Sequence, residues 1–259
     1  MSEPIHTHFD SGVLTIRLNR PEKFNSFIRE MALDFQKALD EAAEREDVRA
    51  VCITGEGKAF CAGQDLAEAI DPNGPELTKI VSEHYNPVIT RIRSLEKPVI
   101  AAVNGVAAGA GANIALCCDI VIATRSSSFI QAFSKIGLIP DSGGTFFLPR
   151  LIGWQKASAL MMMGDKVSAD EAEAMGMIYR SVADEEFAST VDRITKQLAQ
   201  MPTLGLALTK KALNKSLENN LQQQLDLEDE LQTRAGHSED YQEGVNAFLE
   251  KRSPAFKGR

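Results

Sequence analysis

The sequence lacks a surplus of basic residues. Its 259 residues include 28 Lys and Arg against 36 Asp and Glu, which gives a net charge of −8. An acidic chain of this kind is a poor general binder of nucleic acid or of anionic membranes, so we expect neither as a partner. An anionic ligand would need a few basic residues placed locally. The length allows one large domain or two small ones, with a substantial buried core.

Metal-binding and disulfide patterns are also missing. The four cysteines stand in apolar contexts, two of them adjacent at Cys117 and Cys118, and their spacing fits neither a disulfide framework nor a zinc site. His6 and His8 would share one face of a strand, but two histidines alone are more typical of a solvated edge. No metal is predicted. The first residues carry no basic segment followed by an apolar one, so we expect a reduced, cytoplasmic protein.

Two familiar motifs are absent or incomplete. Gly105, Gly109 and Gly111 do not have the G-x-G-x-x-G spacing of a dinucleotide site, and no Gly-Lys-Ser/Thr phosphate loop occurs. Asp-Ser-Gly-Gly at 141–144 is similar to the nucleophile segment of trypsin-like proteases. None of the four histidines has a matching context, so serine-protease chemistry is not expected.

The most distinctive stretch that is present lies between Lys97 and Asp119, where 21 residues carry no formal charge. An apolar run at 99–103 predicts a buried strand, followed by a tight turn of small residues and a helix whose first turn carries Gly109, Ala110 and Gly111. The first N–H groups of a helix have no intrahelical partner and lie at the positive end of its dipole. They could therefore hold a developing negative charge.

This stretch has two other interpretations. Its length would suffice for a membrane span, but Pro98, Asn104 and Asn113 and the glycines argue against one. Close packing of a helix on a sheet also uses small residues, and the stretch alone does not exclude it.

The rest of the chain predicts strands that alternate with helices up to residue 182. Strands are predicted at 5–9, 13–18, 50–54, 120–123, 128–131 and 177–182, and 59–66 should form a second strand, turn and helix start. A helix is predicted from Phe27 with Ser26 as its N-cap, and another over 76–94 with a break at Pro87. Such alternation is typical of an α/β protein with a parallel sheet.

Further helices are predicted in the second half. One follows 139–143 and should end at Pro149, and Ser168 with Glu171 forms a capping box that opens a short helix. From Asp184 onward the pattern is helical, with additional starts at Pro202 and Ser238.

Asp141 is the candidate acid or base. It follows Pro140, precedes Gly143 and Gly144, and is flanked by apolar residues. A carboxylate against apolar surface tends to a raised pKa and can transfer protons near neutral pH. Aspartate is equally suitable as a helix N-cap, so the pattern alone leaves both roles open.

Several ordered motifs together resemble the crotonase superfamily of enoyl-CoA hydratases and isomerases. They are AFCAGQDL at 59–66, AAVNGVAAGAGANIALCCDI at 101–120, the turn at 140–145 and Ser-Pro-Ala-Phe-Lys at 253–257. The resemblance implies an α/β fold built as a spiral of repeated ββα turns, with a C-terminal helical trimerisation region. It implies a core at 1–195 that holds the active site, and a helical region at 196–259.

The resemblance also implies the chemistry. The substrate would be an acyl-CoA thioester, with no further cofactor because coenzyme A is part of the substrate. The backbone N–H groups of Gln64 and Ala110 would hold the thioester oxyanion, and Asp141 would transfer the proton. Hydratases of this superfamily carry glutamates where this chain has Asn113 and Phe133, so simple hydration is not expected. The assembly would be a homotrimer or a dimer of trimers.

Contacts to the substrate are implied by position as well. The residues expected to bind the CoA moiety or the acyl group are Lys23, Phe24, Ala62, Asp65, Leu66, Gly109, Phe133, Phe256 and Lys257. Of these, the last two would reach the nucleotide on a neighbouring subunit, and Phe133 would form an apolar wall. Residues 67–80 would lie beside the substrate, and whether they close over it stays open.

A narrower resemblance is to the branch that isomerises ring-1,2-epoxyphenylacetyl-CoA to an oxepin-CoA in bacterial phenylacetate degradation. It rests on the segments at 103–112, 131–150, 201–206 and 238–245. The alternatives are a Δ3,Δ2-enoyl-CoA isomerase of fatty acid oxidation, which needs the same single base, a hydrolase or dehalogenase with Asp141 as nucleophile, and a non-catalytic CoA-binding subunit.

Overall fold

The computed structural model describes residues 3–259, which form two β-sheets surrounded by helices. The strands are β1 (Ile5–Asp10), β2 (Val13–Leu18), β3 (Ala50–Gly55), β4 (Ala59–Cys61), β5 (Val99–Val103), β6 (Val106–Ala108), β7 (Ile120–Thr124), β8 (Ser128–Ile130), β9 (Lys166–Ser168) and β10 (Arg180–Val182). One sheet has the order β1-β2-β3-β5-β7-β10, and the other has the order β4-β6-β8-β9.

Helices follow most of the strand pairs. They are α1 (Arg29–Glu44), α2 (Leu66–Ala69), α3 (Leu77–Lys79), α4 (Asn86–Ser94), α5 (Ala110–Leu116), α6 (Gly144–Ile152), α7 (Trp154–Met163), α8 (Ala169–Ala174), α9 (Asp184–Gln200), α10 (Thr203–Ser216), α11 (Leu221–Gly236) and α12 (Glu239–Glu250). A π-helical turn, Ile80–Tyr85, joins α3 to α4, and 3₁₀ turns span Pro21–Lys23 and Ala132–Ile136. Among residues 3–259, no helix combines the length and the apolarity needed to cross a bilayer.

The chain winds as a spiral that adds one strand to each sheet per turn. β3 leads to β4, β5 to β6, and β7 to β8, and successive strands within each sheet run parallel. The antiparallel hairpin of β1 and β2 forms one edge of the larger sheet. The α/β class and the spiral of ββα turns are therefore confirmed. Because β4 and β6 are parallel neighbours, the turns that follow them lie side by side.

The central strands of the larger sheet are buried on both faces and are accordingly almost entirely apolar. Along β3, Val51 and Ile53 pack with the helix α1 in the main core, whereas Ala50 and Cys52 pack against α9 on the other face. This alternation follows from the two-residue period of a strand. It explains why an unbroken apolar run predicts these strands correctly.

The start of the first long helix differs from the prediction. Helix α1 begins at Arg29, after Ile28, and no side chain of its own segment caps it. The carboxylate of Glu68 accepts the Arg29 N–H instead, at 2.9 and 3.1 Å. Ser26 is therefore not the N-cap. Phe27 lies outside the helix and forms a bridge with Gln64.

Three other details of the prediction were wrong. Pro149 lies inside α6, which continues to Ile152 because Leu148 and Ile152 are buried and a single missing hydrogen bond does not outweigh that packing. The turn predicted after 99–103 contains a short strand, β6, that pairs with β4 and β8. The final strand, β10, covers only Arg180–Val182 of the predicted 177–182.

The capping box is confirmed, because Ser168 and Glu171 exchange both expected hydrogen bonds at the start of α8. Helix α7 was missed, and the separate start of α11 was not recognised within the helical region predicted from Asp184 onward. Each buries a single residue, Ala157 and Leu231 respectively, so neither has the periodic apolar stripe that sequence patterns reveal.

Arg49 and Lys210 are among the side chains that bond the C-terminal helices to the core. Arg49 donates to the Met201 carbonyl at 2.7 Å and to the Thr203 hydroxyl. Lys210 is buried, donates to the Ile92 carbonyl at 2.7 Å and pairs with Asp119 at 2.8 Å. The division into residues 1–195 and 196–259 falls inside α9 and stays a prediction, as does trimerisation.

Candidate active site

The two small-residue turns that follow β4 and β6 are in contact. Gly63 has φ +88°, and a Cβ there would lie 3.0 Å from the Ala108 carbonyl oxygen and 3.4 Å from the Ala110 nitrogen. A Cβ on Gly111 would lie 2.3 Å from the Cys61 carbonyl oxygen. Glycine at both positions therefore lets the start of α5 approach the turn after β4.

Two backbone N–H groups at this contact have no acceptor among residues 3–259. Phe27 donates to the Gly63 carbonyl at 2.7 Å and accepts from Asp65 at 2.9 Å, which leaves the intervening Gln64 N–H without an acceptor. Gly109 donates to a carbonyl of β8, and the Ala110 N–H that follows opens helix α5. Two such donors on adjacent turns can bind one carbonyl oxygen and stabilise its negative charge.

The side chain of Gln64 is held by a hydrogen-bond network. The Tyr85 hydroxyl donates to Gln64 Oε1 at 2.9 Å, and Gln64 Nε2 donates to Glu68 Oε2 at 3.0 Å. Tyr85 is fully buried at the end of the π-helical turn. Because the side chain is engaged in this way, the backbone of Gln64 is held in one orientation.

Asp141 lies in the turn before α6, and its side chain does not cap that helix. The N-cap residue is Gly143, and no side chain hydrogen-bonds to the helix start. The Asp141 carboxylate instead accepts from the Ser142 hydroxyl at 2.9 Å. Ser142 and Gly143 have φ of +52° and +73°, which is an unfavourable conformation for the buried serine.

Burial raises the pKa of the Asp141 carboxyl, and the hydrogen bond from Ser142 offsets only part of that increase. The pKa of Tyr85 is also raised, first by burial and then by the neighbouring groups Cys61 and Asp141. The Asp141 carboxylate is thus close enough to act electrostatically on the phenol that holds Gln64. A half-buried carboxylate with a raised pKa is suited to moving protons.

An apolar ring and an amide lie beside the start of α5. Phe133 is buried, and its ring lies 3.8 Å from the position of a Cβ on Gly109. Asn113 accepts from Gln131 at 2.8 Å and donates to the Asp141 carbonyl at 2.8 Å. Neither Phe133 nor Asn113 can act as a general acid or base.

Several expected CoA-binding residues lie next to Gln64. The Ala62 N–H donates to the Phe24 carbonyl at 2.9 Å, which ties the Lys23–Phe24 loop to the turn after β4. Phe24 and Leu66 are about half exposed, and Lys23 and Ala62 are also exposed. These surfaces are free to contact a ligand.

Asp65, next to Gln64, stabilises the local structure. It accepts from the Ala67 N–H at the start of α2 and pairs with Arg20 at 2.9 Å. Burial acts to raise the pKa of Asp65, but the bonds from Arg20 and Ala67 outweigh it and lower the pKa.

Phe256 and Lys257 lie elsewhere in the chain's fold. The Phe256 ring packs 3.5 Å from the Cβ position of Gly244 in α12, and Lys257 pairs with Glu239 at 3.2 Å. Their contacts are with α12 and Arg49, so within one chain they are not brought to Gln64 and Ala110.

The supporting residues Tyr85, Glu68 and Gln131 were missed by sequence reasoning. The break predicted at Pro87 was the one signal near Tyr85, because a π-turn immediately precedes that proline. His84 is buried beside Arg29, and burial lowers its pKa. His237 contacts the Thr233 carbonyl at 2.7 Å. Neither histidine contacts the Asp141 carboxylate.

Residues 8–259 match the family model described as enoyl-CoA hydratase/isomerase. The chain belongs to this family. The crotonase resemblance drawn from the motifs is therefore confirmed, and the chain is an enzyme of that family.

Similar proteins of this family cover the full length of the chain. The "1,2-epoxyphenylacetyl-CoA isomerase" of Escherichia coli is 50% identical over 262 residues, covering 100% of both chains. The "Probable enoyl-CoA hydratase" of Rhodobacter capsulatus is 44% identical, covering 98% of both. The solved enoyl-CoA hydratase from Bacillus anthracis has a TM-score of 0.91 at 32% identity, covering 99% of this chain and 100% of that one.

Proposed function

We propose that the chain is an acyl-CoA isomerase that uses Asp141 as its single proton-transferring group. The observation that carries the proposal is that Asp141, a half-buried carboxylate with a raised pKa, lies in a turn hydrogen-bonded to α5. Helix α5 begins with the Ala110 N–H, which lies beside the turn that carries the Gln64 N–H. Hydration would need an acid and a base together, whereas isomerisation needs one group that removes a proton and returns it.

The proposed mechanism has two proton transfers. The N–H groups of Gln64 and Ala110 donate to the thioester oxygen, and Asp141 removes a proton from Cα. The resulting enolate oxygen is stabilised where the charge develops, which lowers the barrier. The carboxylic acid of Asp141 then returns the proton to another carbon of the conjugated system. No atom is gained or lost, and no further cofactor is required beyond the CoA of the substrate.

We propose ring-1,2-epoxyphenylacetyl-CoA as the substrate. The name of the E. coli relative supports it, and so does the apolar Phe133 ring beside Gly109, which suits a hydrocarbon ring. The Cα proton would be removed, the bond between the two epoxide carbons would open, and a ring-derived carbon would be protonated. The product is the isomeric oxepin-CoA, a seven-membered ring thioester.

We also propose how the enzyme holds CoA and assembles. Lys23 and Phe24 would contact the adenine side, and Ala62, Asp65 and Leu66 the pantetheine side. Lysine suits a phosphate as a point charge. Phe256 and Lys257 would serve a neighbouring subunit of a trimer or hexamer. The four free, buried cysteines fit a reducing cytoplasm.

The first test is the conversion of a synthetic 3-enoyl-CoA to the conjugated 2-enoyl-CoA, followed by ultraviolet absorbance. We expect activity in the wild type and a loss of about a hundredfold or more in Asp141→Asn, since the amide cannot take up the proton. Equal activity in both proteins would show that another residue is the base.

A second assay separates the substrate classes. The Δ3,Δ2-enoyl-CoA isomerase is the alternative because it needs the same single base. We expect kcat/KM to be higher for the ring epoxide than for the 3-enoyl thioester, and the reverse order would favour the alternative. Turnover in D2O should exchange the Cα hydrogen; retention of that hydrogen would exclude the enolate mechanism.

A further inference from the structure

One polar side chain is buried in an otherwise apolar helix next to the catalytic turn. All seven residues of α5 are buried, and Asn113 is only 1% exposed. A buried amide costs free energy unless its donor and acceptor are both satisfied. The bonds that satisfy Asn113 therefore indicate what it does.

Both bonds of Asn113 lead to segments around Asp141. Its Nδ2 donates to the Asp141 carbonyl at 2.8 Å, and its Oδ1 accepts from Gln131 Nε2 at 2.8 Å. Gln131 is buried and directly follows β8. The amide thus links the helix α5, the end of β8 and the Asp141 turn.

The Asp141 turn is packed directly on this amide. A Cβ on Gly144 would lie 2.3 Å from Asn113 Nδ2 and 2.8 Å from its Oδ1, so only glycine fits there. The turn has two successive residues with positive φ, Ser142 and Gly143, and one of them is not glycine. A conformation of this kind persists only where surrounding contacts support it.

We propose that Asn113 is a positioning residue that fixes Asp141 relative to the two oxyanion donors. Ala110 and Asn113 lie three positions apart on the same short helix. One rigid element therefore carries one N–H donor and, through the Asn113 amide, holds the base. This inference rests on the proposed isomerase function and explains how that site keeps its geometry.

The test uses Asn113→Leu, which keeps the size of the side chain but removes donor and acceptor without adding a charge. We expect kcat to fall about tenfold to a hundredfold, because a displacement near 1 Å has effects of that size. KM should change by less than about twofold, because the N–H donors are untouched. The primary isotope effect with Cα-deuterated 3-enoyl-CoA should increase, since proton removal becomes slower.

The matched control is Asn104→Leu. Asn104 also bridges two backbone groups, because it donates to the Gly57 carbonyl at 3.0 Å and accepts from the Gly55 N–H at 3.1 Å. Asn104 precedes β6, however, whereas Asn113 lies in the helix that follows β6. We expect this variant to lose stability while keeping kcat and the isotope effect of the wild type. If Asn113→Leu does not fold, Gln131→Met removes the outer bond alone and should give a smaller change of the same kind.

The outcomes separate this inference from the proposed function. If Asp141→Asn is inactive and Asn113→Leu retains the wild-type kcat and isotope effect, the positioning role is wrong and the isomerase function stands. A lower kcat that a smaller fraction of folded enzyme accounts for in full would also overturn the positioning role. If Asp141→Asn is as active as the wild type, the proposed function itself fails.

Discussion

The raised pKa that would suit Asp141 to proton transfer also makes its charged form unfavourable in the folded chain. Burial raises the pKa of its carboxyl above the ordinary value of 3.8, and the Ser142 hydroxyl and its own backbone N–H compensate only in part. The folded chain therefore binds this proton more tightly than the unfolded chain does. As pH rises from the unfolded pKa through the folded pKa, the contribution of Asp141 becomes increasingly unfavourable to folding.

We predict that Asp141→Asn is more stable than the wild type at pH 7.5, by about 1 kcal/mol. The amide keeps the shape of the side chain and can still accept from Ser142, but it carries no charge. The difference should shrink as pH falls toward 4, because the wild-type carboxyl then takes up its proton. Urea unfolding at both pH values, at a fixed protein concentration, measures this difference in the free energy of unfolding.

Asp65→Asn is the matched control for this prediction. The Asp65 carboxylate pairs with Arg20 and its pKa is lowered, so removing its charge should reduce stability at pH 7.5. If Asp141→Asn is as stable as the wild type or less so at pH 7.5, the carboxylate does not oppose folding as argued.

At the scale of single residues, sequence reasoning proposed the candidate reacting groups but not the residues that hold them. Gln64, Ala110 and Asp141 lie in motifs that can be recognised from the sequence alone. The partners that orient them come from distant positions: Asn113 lies 28 residues before Asp141, and Tyr85 lies 21 residues after Gln64. Nothing in the local pattern indicates that these side chains meet.

At the scale of elements, the π-helical turn is the feature most closely tied to the site. It lies between α3 and α4, ahead of Pro87, and it places His84 and Tyr85 in the interior at successive positions. A π-turn is rare and is often found at functional sites because it redirects side chains that a regular helix would place elsewhere. Here it brings the Tyr85 hydroxyl to Gln64.

We predict that Tyr85→Phe lowers kcat about tenfold with a smaller effect on KM. The substitution removes the one hydroxyl that donates to Gln64 Oε1, so the Gln64 backbone N–H is held less firmly at the oxyanion. Steady-state kinetics with the 3-enoyl-CoA measure this, and thermal unfolding should show a loss near 1 kcal/mol.

The control for this prediction is Tyr179→Phe, which removes the same atom from an exposed tyrosine before β10. We expect its kinetics to match those of the wild type. A Tyr85→Phe enzyme with an unchanged kcat would show that the network around Gln64 does not set the oxyanion geometry.

Elements with a buried stripe or a fully buried run could be predicted, and those without one could not. The strands β3, β5 and β7 are continuous apolar segments, and their predicted positions agree with the structure to within one residue. Helices α7 and α11 leave all but one of their apolar residues exposed or only half-buried, so no apolar period marks them. The cap of α1 comes from Glu68, 39 positions after Arg29, which no local signal could indicate.

At the scale of the whole molecule, the spiral explains how distant segments form one site. Each turn of the chain adds a strand beside the previous one, so turns that are far apart in sequence meet at one end of the smaller sheet. The turn after β4 supplies Gln64, the turn after β6 supplies Ala110, and the chain beyond β8 leads to Asp141. The C-terminal helices contribute no residue to this site within one chain.

A broad apolar surface on the C-terminal helices indicates where copies of the chain would associate. The α12 face consists of Tyr241, Val245, Phe248, Leu249 and the adjoining Phe256, which line one groove. Phe248 is 83% exposed and Leu249 is 71% exposed. Apolar side chains this exposed and this close together are typical of an interface.

We predict that the wild type is a trimer or hexamer and that Phe248→Asp dissociates it, because a buried unpaired charge is strongly unfavourable at an interface. Light scattering coupled to size exclusion measures the mass, and Gln197→Asp on the exposed side of α9 should leave it unchanged. Since Phe256 and Lys257 are expected to reach a neighbour's nucleotide, the dissociated variant should have a KM raised about tenfold, equivalent to about 1.4 kcal/mol, with a similar kcat. A monomeric wild type, or a Phe248→Asp variant of unchanged mass, would assign the α12 face another role.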